Sequence, residues 1–386
     1  MPKVAQIWGQ IQASLMPHLE RCFEEPLTER QARLVAVLEV VRIEEHVALR
    51  ALQWMGRKRQ DRRALARAFV AKAGYGLPTT EALIESLRGG SNLRRICGWQ
   101  PEDPVPSAST FCRACDEFAT PQWCDRVHAA LVKAHVSARL VGHICRDSTE
   151  IEAREKPAKK PPKAPQAKRR VGRPKKGEEV GQKRTTRLPR QVEQSAEEAL
   201  AGLPTACDVG AKRNSKGRRQ HWIGYQTHLD VNDAGLPISV VTTSASLHDS
   251  QAAIPLEKLT AQRVTSLYSV MDSASEARLI AQVCRDLGHV PIIDTKTRNG
   301  IKVPFDPATA QRYQVRTTVE RAYSRLKDEF GARHVRVRGH RKVHSHTMFG
   351  VVAAGVDVIV SSSFVFKHPE GYAAGIRWLK GLGEAG

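Results

Sequence analysis

Eight cysteines in 386 residues, at positions 22, 97, 112, 115, 124, 145, 207 and 284, are too sparse for a disulfide scaffold, and most lie within apolar stretches. The cytosol is the expected compartment. Residues 1–6 lack the basic flank, apolar core and cleavage site of a signal peptide, so export is not expected. Long apolar runs are scarce too. The longest, Met348 to Phe366, carries Asp357 and the break Ser361-Ser362-Ser363, which predicts a packed helix followed by a loop rather than a membrane span. Acidic residues are in short supply, 40 Asp and Glu against 61 Lys and Arg, leaving a formal charge of +21. With 41% apolar residues the chain can still build an ordinary core, so the surplus positive charge implies a folded protein with a polyanionic partner. The length suits two or three domains of roughly 100–200 residues and does not suit a single small binding module.

The charge is concentrated. Residues 154–190 hold fifteen Lys and Arg, three Glu and six Pro, so twelve of the net positive charges sit in one segment. Proline removes backbone donors and such like-charge density cannot bury a core, so residues 153–190 are expected to form a basic, disordered insertion. Before it, residues 1–135 read as helical: Leu27 to Val47 has apolar residues at helical spacing, Pro78-Thr79-Thr80 opens a helix, and Gly89-Gly90-Ser91 closes it. A further helix runs from about Ala108 to Phe118 with Ser107 as its N-cap. These short helices permit a helix-turn-helix, with Arg57-Lys58-Arg59 and Arg62-Arg63 as basic company, and residues 1–135 are expected to serve in DNA binding and dimerisation.

From about residue 136 the pattern turns to strands. Leu140 to Cys145 leads to Asp147, and His221 to Val231 and Leu236 to Ala245 form a hairpin across Asn232-Asp233-Ala234-Gly235. A helix from about His248 to Leu259 connects to Ser266 to Met271, followed by a helix stopped at Gly288 and by Val290 to Ile293. An antiparallel meander joined to a parallel crossover predicts an α/β fold with a mixed sheet and flanking helices. The catalytic domain is expected over residues 136–346, and a C-terminal helix and tail over 347–386.

The sharpest chemical signal is a helix expected between Asp306-Pro307 and Gly331. At about 100° per residue, Tyr313, Arg316, Glu320 and Lys327 share a polar stripe about 60° wide, opposite an apolar stripe of Val315, Val319, Ala322, Leu326 and Phe330. One reading is a solvated helix with an ordinary Arg316–Glu320 pair, but Arg precedes Glu, the less favourable order, and Tyr313 and Lys327 add nothing to such a pair.

The spacing Tyr-x2-Arg-x3-Glu-x6-Lys resembles the signature of bacterial insertion-sequence transposases of the DDE class. Arg146-Asp147-Ser148-Thr149-Glu150 resembles the block carrying that family's first catalytic Asp, and Val270-Met271-Asp272-Ser273-Ala274 the block carrying the second, although Ser275 stands where an aromatic residue is expected. Thr205 to Asp208, Asn214 to Gly217, Trp222 to Tyr225, Ser246 to Ser250 and Arg336 to His340 look similar too, so the resemblance covers roughly residues 77–350. It implies a ribonuclease-H-like fold, with Asp147, Asp272 and Glu320 as catalytic residues and metal ligands.

Three ionised carboxylates in one pocket repel one another, so such a set calls for divalent cations. Its hard oxygens favour Mg2+ or Mn2+, two ions per active site, about 3.5–4 Å apart, to activate the attacking oxygen and stabilise the leaving one. The resemblance further implies that water attacks the phosphodiester at the element end and that the released 3′-hydroxyl attacks target DNA. Arg316 and Lys327 would hold phosphates, Tyr313 the DNA backbone, and His248 and Asp249 are auxiliary candidates, with Asp208 and Asp230 as weaker competitors. The partners implied are double-stranded DNA, as terminal inverted repeats and target, and a second copy of the chain, with no membrane and the bacterial nucleoid as location. No coiled-coil heptad supports the dimer.

Within the basic segment, Gly172-Arg173-Pro174 resembles an AT-hook core, but Val171 stands where Arg usually precedes the glycine. Arg169, Arg170, Arg173, Lys175 and Lys176 are therefore read as a nonspecific phosphate-binding arm. Cys112-x2-Cys115-x8-Cys124-x3-His128 has zinc-like spacing, yet its first pair falls inside a predicted helix, which favours structural cysteines. Two alternatives remain: a catalytically inactive, transposase-derived DNA-binding regulator, and a ribonuclease-H-like nuclease that cuts without joining.

Overall fold

The computed structural model describes residues 27–47, 60–100, 102–120, 123–159, 186–213, 217–296 and 302–367. Among the described residues six α-helices come first: α1 (Glu29–Val41), α2 (Arg62–Gly74), α3 (Thr80–Gly89), α4 (Ser91–Cys97), α5 (Ala108–Ala119) and α6 (Trp123–His135). Thr28 and Gln31 form a capping box on α1, and the Thr79 hydroxyl accepts from the Ala82 N–H to start α3. The helix expected from Leu27 to Val47 stops earlier, because Arg42 adopts a left-handed φ of 43° and hands over to a 3-10 turn at Ile43–His46. Ser107 precedes α5 as expected, but its hydroxyl meets those of Ser109 and Thr110 instead of capping a backbone N–H. Arg62 is engaged with Glu117 at 2.9 Å, and residues 57–59 lie outside the described residues.

The sheet is mixed and six-stranded. Strand β1 (Val141–Glu152) lies between β3 (Arg219–Asn232), antiparallel, and β5 (Ser266–Met271), parallel, and β6 (Val290–Ile293) extends the parallel side. On the other edge β3 is long enough to pair with both β2 (Asp208–Arg213) and β4 (Pro237–Ser244). The hairpin, crossover and strand order expected from the sequence are present. Strand β2, polar and at an edge, lacked the apolar alternation by which the others are read. Helices α7 (Arg187–Glu193), α8 (Ala196–Ala201), α9 (Ser250–Ala261) and α10 (Arg278–Asp286) flank the sheet.

The last helix, α13 (His340–Lys367), corrects one expectation: it continues through Ser361–Ser363 without a loop. Serine costs a helix only a fraction of a kcal/mol, and no Gly or Pro stands there to end it. It packs on α1, α2, α5, α6 and β4 and on the helix Thr317–Asp328. Phe349 stacks on Phe69 at 5.4 Å, and Asp357 binds Arg33 at 2.6 Å and also Arg325. Among the described residues no helix is long and apolar enough to cross a membrane.

Both ends of the expected basic insertion are ordered. Ala158 N donates to Cys207 O at 2.8 Å, and Gln191 on α7 is buried and donates to the Gln251 carbonyl at 2.8 Å. Residues 160–185, with Arg169, Arg170, Arg173, Lys175 and Lys176, lie outside the described residues.

The strands are pinned by a buried ion network. Arg146 on β1 grips Asp230 on β3 through two bonds of 2.7 and 2.6 Å and pairs with Glu257 on α9 at 2.8 Å. Thr260 donates to Asp230, and Glu257 also receives Ser269 from β5 and His289 from the turn before β6. Although burial works against it, Arg146 holds the Glu257 carboxyl down to about 2. Asp230, a weaker catalytic candidate, is thereby structural. Removing the guanidinium would leave two buried carboxylates unpaired, so Arg146→Met should cost about 3–5 kcal/mol in denaturant unfolding. A loss below about 1 kcal/mol would contradict this role for the network.

Candidate active site

Strand register brings two of the expected acids together. Arg146 on β1 is level with Met271 on β5 in a parallel pair, so the next residues, Asp147 and Asp272, leave that pairing side by side. Asp272 ends its strand as expected and caps a 3-10 turn, Ser273–Ser275, by accepting from Ala274 N at 3.1 Å. Asp147 does not end its strand. Pairing with β3 carries β1 on to Glu152, with Asp147 opposite Leu229, so the acid stands where the β5 partner stops.

Asp147 and Asp272 line one small cavity together with Asp249, Ser148, His228 and Ser275. Asp249 precedes the first turn of α9 and accepts from Gln226 Nε2 at 2.6 Å. The same nitrogen reaches Ser148 Oγ at 2.7 Å, and His228 Nδ1 lies 3.8 Å from Asp249. His248 is exposed and does not line the cavity; its Nδ1 receives the Ser250 N–H, a local turn contact. Asp208 is likewise local, accepting from Val209 N at the sheet edge.

This cavity holds more negative charge than it neutralises. Burial, reinforced by Asp272 and Asp249, pushes the Asp147 carboxyl up to about 6 despite Arg316. Burial raises Asp249, and burial followed by Asp249 raises Asp272. His228 is driven down to about 3 by burial, then Arg146, and stands neutral.

The third acid comes from a helix that is not continuous. Helix α11 (Pro307–Tyr313), capped by Asp306, passes through a 3-10 turn, Gln314–Arg316, into α12 (Thr317–Asp328). The Thr317 hydroxyl donates to Gln314 O at 3.1 Å, a local bond that competes with regular helix. Arg316 ends this tight step. Its guanidinium donates to Asp147 Oδ2 at 2.7 Å and to Glu320 Oε1 at 2.6 Å, so Asp147 and Glu320 are joined through a cation rather than by direct approach. Glu320 is about half exposed and does not line the cavity. Among the described residues no three His, Cys, Asp or Glu side chains are grouped to hold one metal ion.

Lys327 donates to Glu150 Oε1 at 2.9 Å, and Lys212 binds the same carboxylate; against burial, these bonds hold Glu150 down to about 2. Tyr313 packs on Phe305 at 5.1 Å, and burial raises its hydroxyl to about 12. Three contributors escaped the sequence reading. Tyr323 sets its hydroxyl 2.7 and 2.9 Å from the carbonyls of Asp147 and Thr227, pinning α12 to β1 and β3. Gln226 and His228 could have been found, since with Asp230 they are polar residues at alternate positions on one face of a strand whose other face carries Tyr225, Leu229 and Val231. Cys124 faces Ser345 at 3.6 Å and His128 faces the Pro237 carbonyl at 2.9 Å, while Cys112 is exposed.

A carboxyl that binds protons more readily when folded destabilises the fold at neutral pH, and the penalty is relieved as pH falls through about 6 toward the ordinary carboxylate value. In chelator, Asp147→Asn should therefore be more stable than the parent by about 1–2 kcal/mol at pH 7, after discounting for solvent screening, with the gap closing toward pH 4.5. Chemical denaturation at both pH values measures it, and a parent more stable than Asp147→Asn at pH 7 would refute the surplus-charge account.

Residues 142–354 match the family described as Transposase DDE domain, and residues 22–117 match the family described as Transposase domain (DUF772). No curated protein and no solved structure matched the chain. The first match spans more than half of the sequence and all six strands but for Val141 at the start of β1, with the antiparallel and parallel sides of the sheet and flanking helices. The chain therefore belongs to the Transposase DDE domain family and carries that family's ribonuclease-H-like fold.

Proposed function

We propose that this transposase cleaves phosphodiester bonds at the ends of an insertion sequence and joins the freed 3′-hydroxyl to target DNA, with Asp147, Asp272 and Glu320 as its acidic set. The observation that carries the reading is the register that leaves Asp147 beside Asp272, with Arg316 joining Asp147 to Glu320. Divalent ions are general in the family. The donor set suits Mg2+ or Mn2+, since its oxygens are hard ligands and its raised carboxyls are only partly neutralised by Arg316. When bound, two such ions would supply Lewis-acid stabilisation at the attacking and leaving oxygens, and Asp147, Asp272 and Glu320 are the residues to hold them.

The remaining roles fall to side chains of this chain. Arg316 neutralises Asp147 and Glu320 and can turn its planar fork to a phosphate oxygen, the 3-10 step beneath it serving as the hinge. Lys327, on the same helix, offers a point charge farther along β1, shared with Glu150. Tyr313 flanks the site and supports the backbone of bound DNA. Asp249, raised in proton affinity and held by Gln226, serves as the auxiliary acid that accepts the proton of the attacking hydroxyl, and His248 is the weaker auxiliary. The substrates are duplex DNA as terminal inverted repeats and as target, residues 1–135 contribute to DNA binding and dimerisation, Arg169, Arg170, Arg173, Lys175 and Lys176 supply a basic arm, and a homodimer pairs two ends.

Cleavage and joining of element-end DNA in Mg2+ test the reading. Asp147→Ala, Asp272→Ala and Glu320→Ala should each reduce cleavage at least roughly a thousandfold, about 4 kcal/mol of barrier, without loss of fold. Cutting that survives all three substitutions would exclude this acidic set. Cutting without a joined product would assign a nuclease, and DNA binding with neither product a regulator.

A further inference from the structure

A second cavity, of about 490 Å³, opens where the N-terminal helices meet α13 and the loop before it. Its wall carries Lys72 from α2, the first turn of α3, Arg154 from just beyond β1, Arg336 and Arg338 from the loop, and Lys342 from α13. Glu81 is its only carboxylate among the described residues. Lys342 is paired with Asp116 at 2.7 Å, whereas Arg154, Arg336 and Arg338 are exposed and make no ion pair among the described residues.

Lys72 is the unusual member. It is only 7% exposed, lies on the buried side of α2 between Phe69 and Ala73, and its ammonium has no hydrogen-bond or salt-bridge partner among the described residues. Burial lowers its proton affinity to about 8, so it still carries a charge at neutral pH. Holding an ammonium without an ion pair on so largely buried a side chain costs stability that a Met of similar length would avoid. Glu81 on the cavity wall favours its charge without forming an ion pair with it, and a closer counter-charge can enter through the cavity. The positive end of the α3 dipole and the arginine rim favour the same kind of guest.

The cavity is also connected to the active site through β1. Glu155 Oε1 accepts from Tyr225 Oη at 2.6 Å and from Gly339 N at 3.1 Å, which ties the loop of Arg336 and Arg338 to the chain leaving β1. From Asp147 to Arg154 that chain covers roughly 20 Å at about 3.3 Å per residue, and the Glu150 cluster with Lys212 and Lys327 stands between. We infer that this cavity is a DNA phosphate-binding site, in which Lys72, Arg336 and Arg338 hold the backbone of duplex flanking the scissile bond. The inference rests on the reading of the substrate as duplex DNA and names a second contact on it.

The test uses the full-length chain and a random-sequence duplex, with binding measured across a series of salt concentrations. Each phosphate contact adds about 0.9 to the slope of log Kobs against log salt. Arg336→Ala with Arg338→Ala should lower that slope by about 2, and Lys72→Met by about 1, while Lys72→Met melts at or above the parent temperature. Because Arg336 and Arg338 are exposed, their variant decides the matter even if Lys72→Met misfolds. Variants that keep the parent slope overturn the inference and leave the proposed function standing. A parent that binds no duplex overturns both. A thermal shift with pyrophosphate alone that Lys72→Met abolishes, with the duplex slope unchanged, would assign the cavity to a small phosphate ligand and overturn the DNA assignment.

Discussion

The fork that Arg146 extends to Asp230 and Glu257 is the interaction on which the site depends. It joins β1, β3 and α9, and through Ser269 and His289 it reaches β5 and the turn before β6. A strand can slip by one residue only by exchanging its buried and exposed faces, and here a slip would also tear a guanidinium from two buried carboxylates. Arg146 is the residue level with Met271, so the network that fixes this register also fixes Asp147 next to Asp272. Neighbouring residues of one strand thus live in opposite electrostatic settings. Arg146 is matched by carboxylates, and Asp147 faces more of them than its surroundings neutralise.

That surplus explains the position of Arg316. With Asp147, Asp249 and Asp272 gathered at one cavity and Arg146 there committed to Asp230 and Glu257, the Arg316 guanidinium supplies compensating charge and bonds to Asp147 and Glu320 at once. It does not restore Asp147 to ordinary acidity. A site that holds unneutralised carboxylates sacrifices stability for a function that needs them, the usual relation between active sites and the folds that carry them. Tyr323 limits the movement available to α12 by bonding to the backbone of β1 and β3, while the 3-10 turn ahead of it leaves Arg316 at a joint rather than inside a rigid helix.

Much of this was legible in the sequence, for identifiable reasons. The hairpin, the crossover and the strand ending at Asp272 announce themselves through apolar alternation and turn residues, and the Tyr313, Arg316, Glu320, Lys327 spacing marks the helical element of the site. Other features depend on partners distant in sequence. Asp147 looked like a strand end because apolar residues stop at Cys145, but β1 continues on pairing with β3. The step at Gln314–Arg316 comes from a hydroxyl bond within an otherwise helical pattern, and α13 runs on where a serine cluster suggested a stop. Lys72 carries no motif of its own, and its burial comes only from packing around α2.

The central claim is that Asp147, Asp272 and Glu320 form one cation-binding set, with Arg316 lying between Asp147 and Glu320. A crystal structure with Mn2+ and element-end DNA, read by anomalous scattering, tests it most directly. The account predicts manganese bound by Asp147 and Asp272, with Glu320 drawn into the set and the Arg316 guanidinium moved from between the carboxylates to a DNA phosphate. Manganese absent from these oxygens, with Arg316 still bridging Asp147 and Glu320, would contradict it.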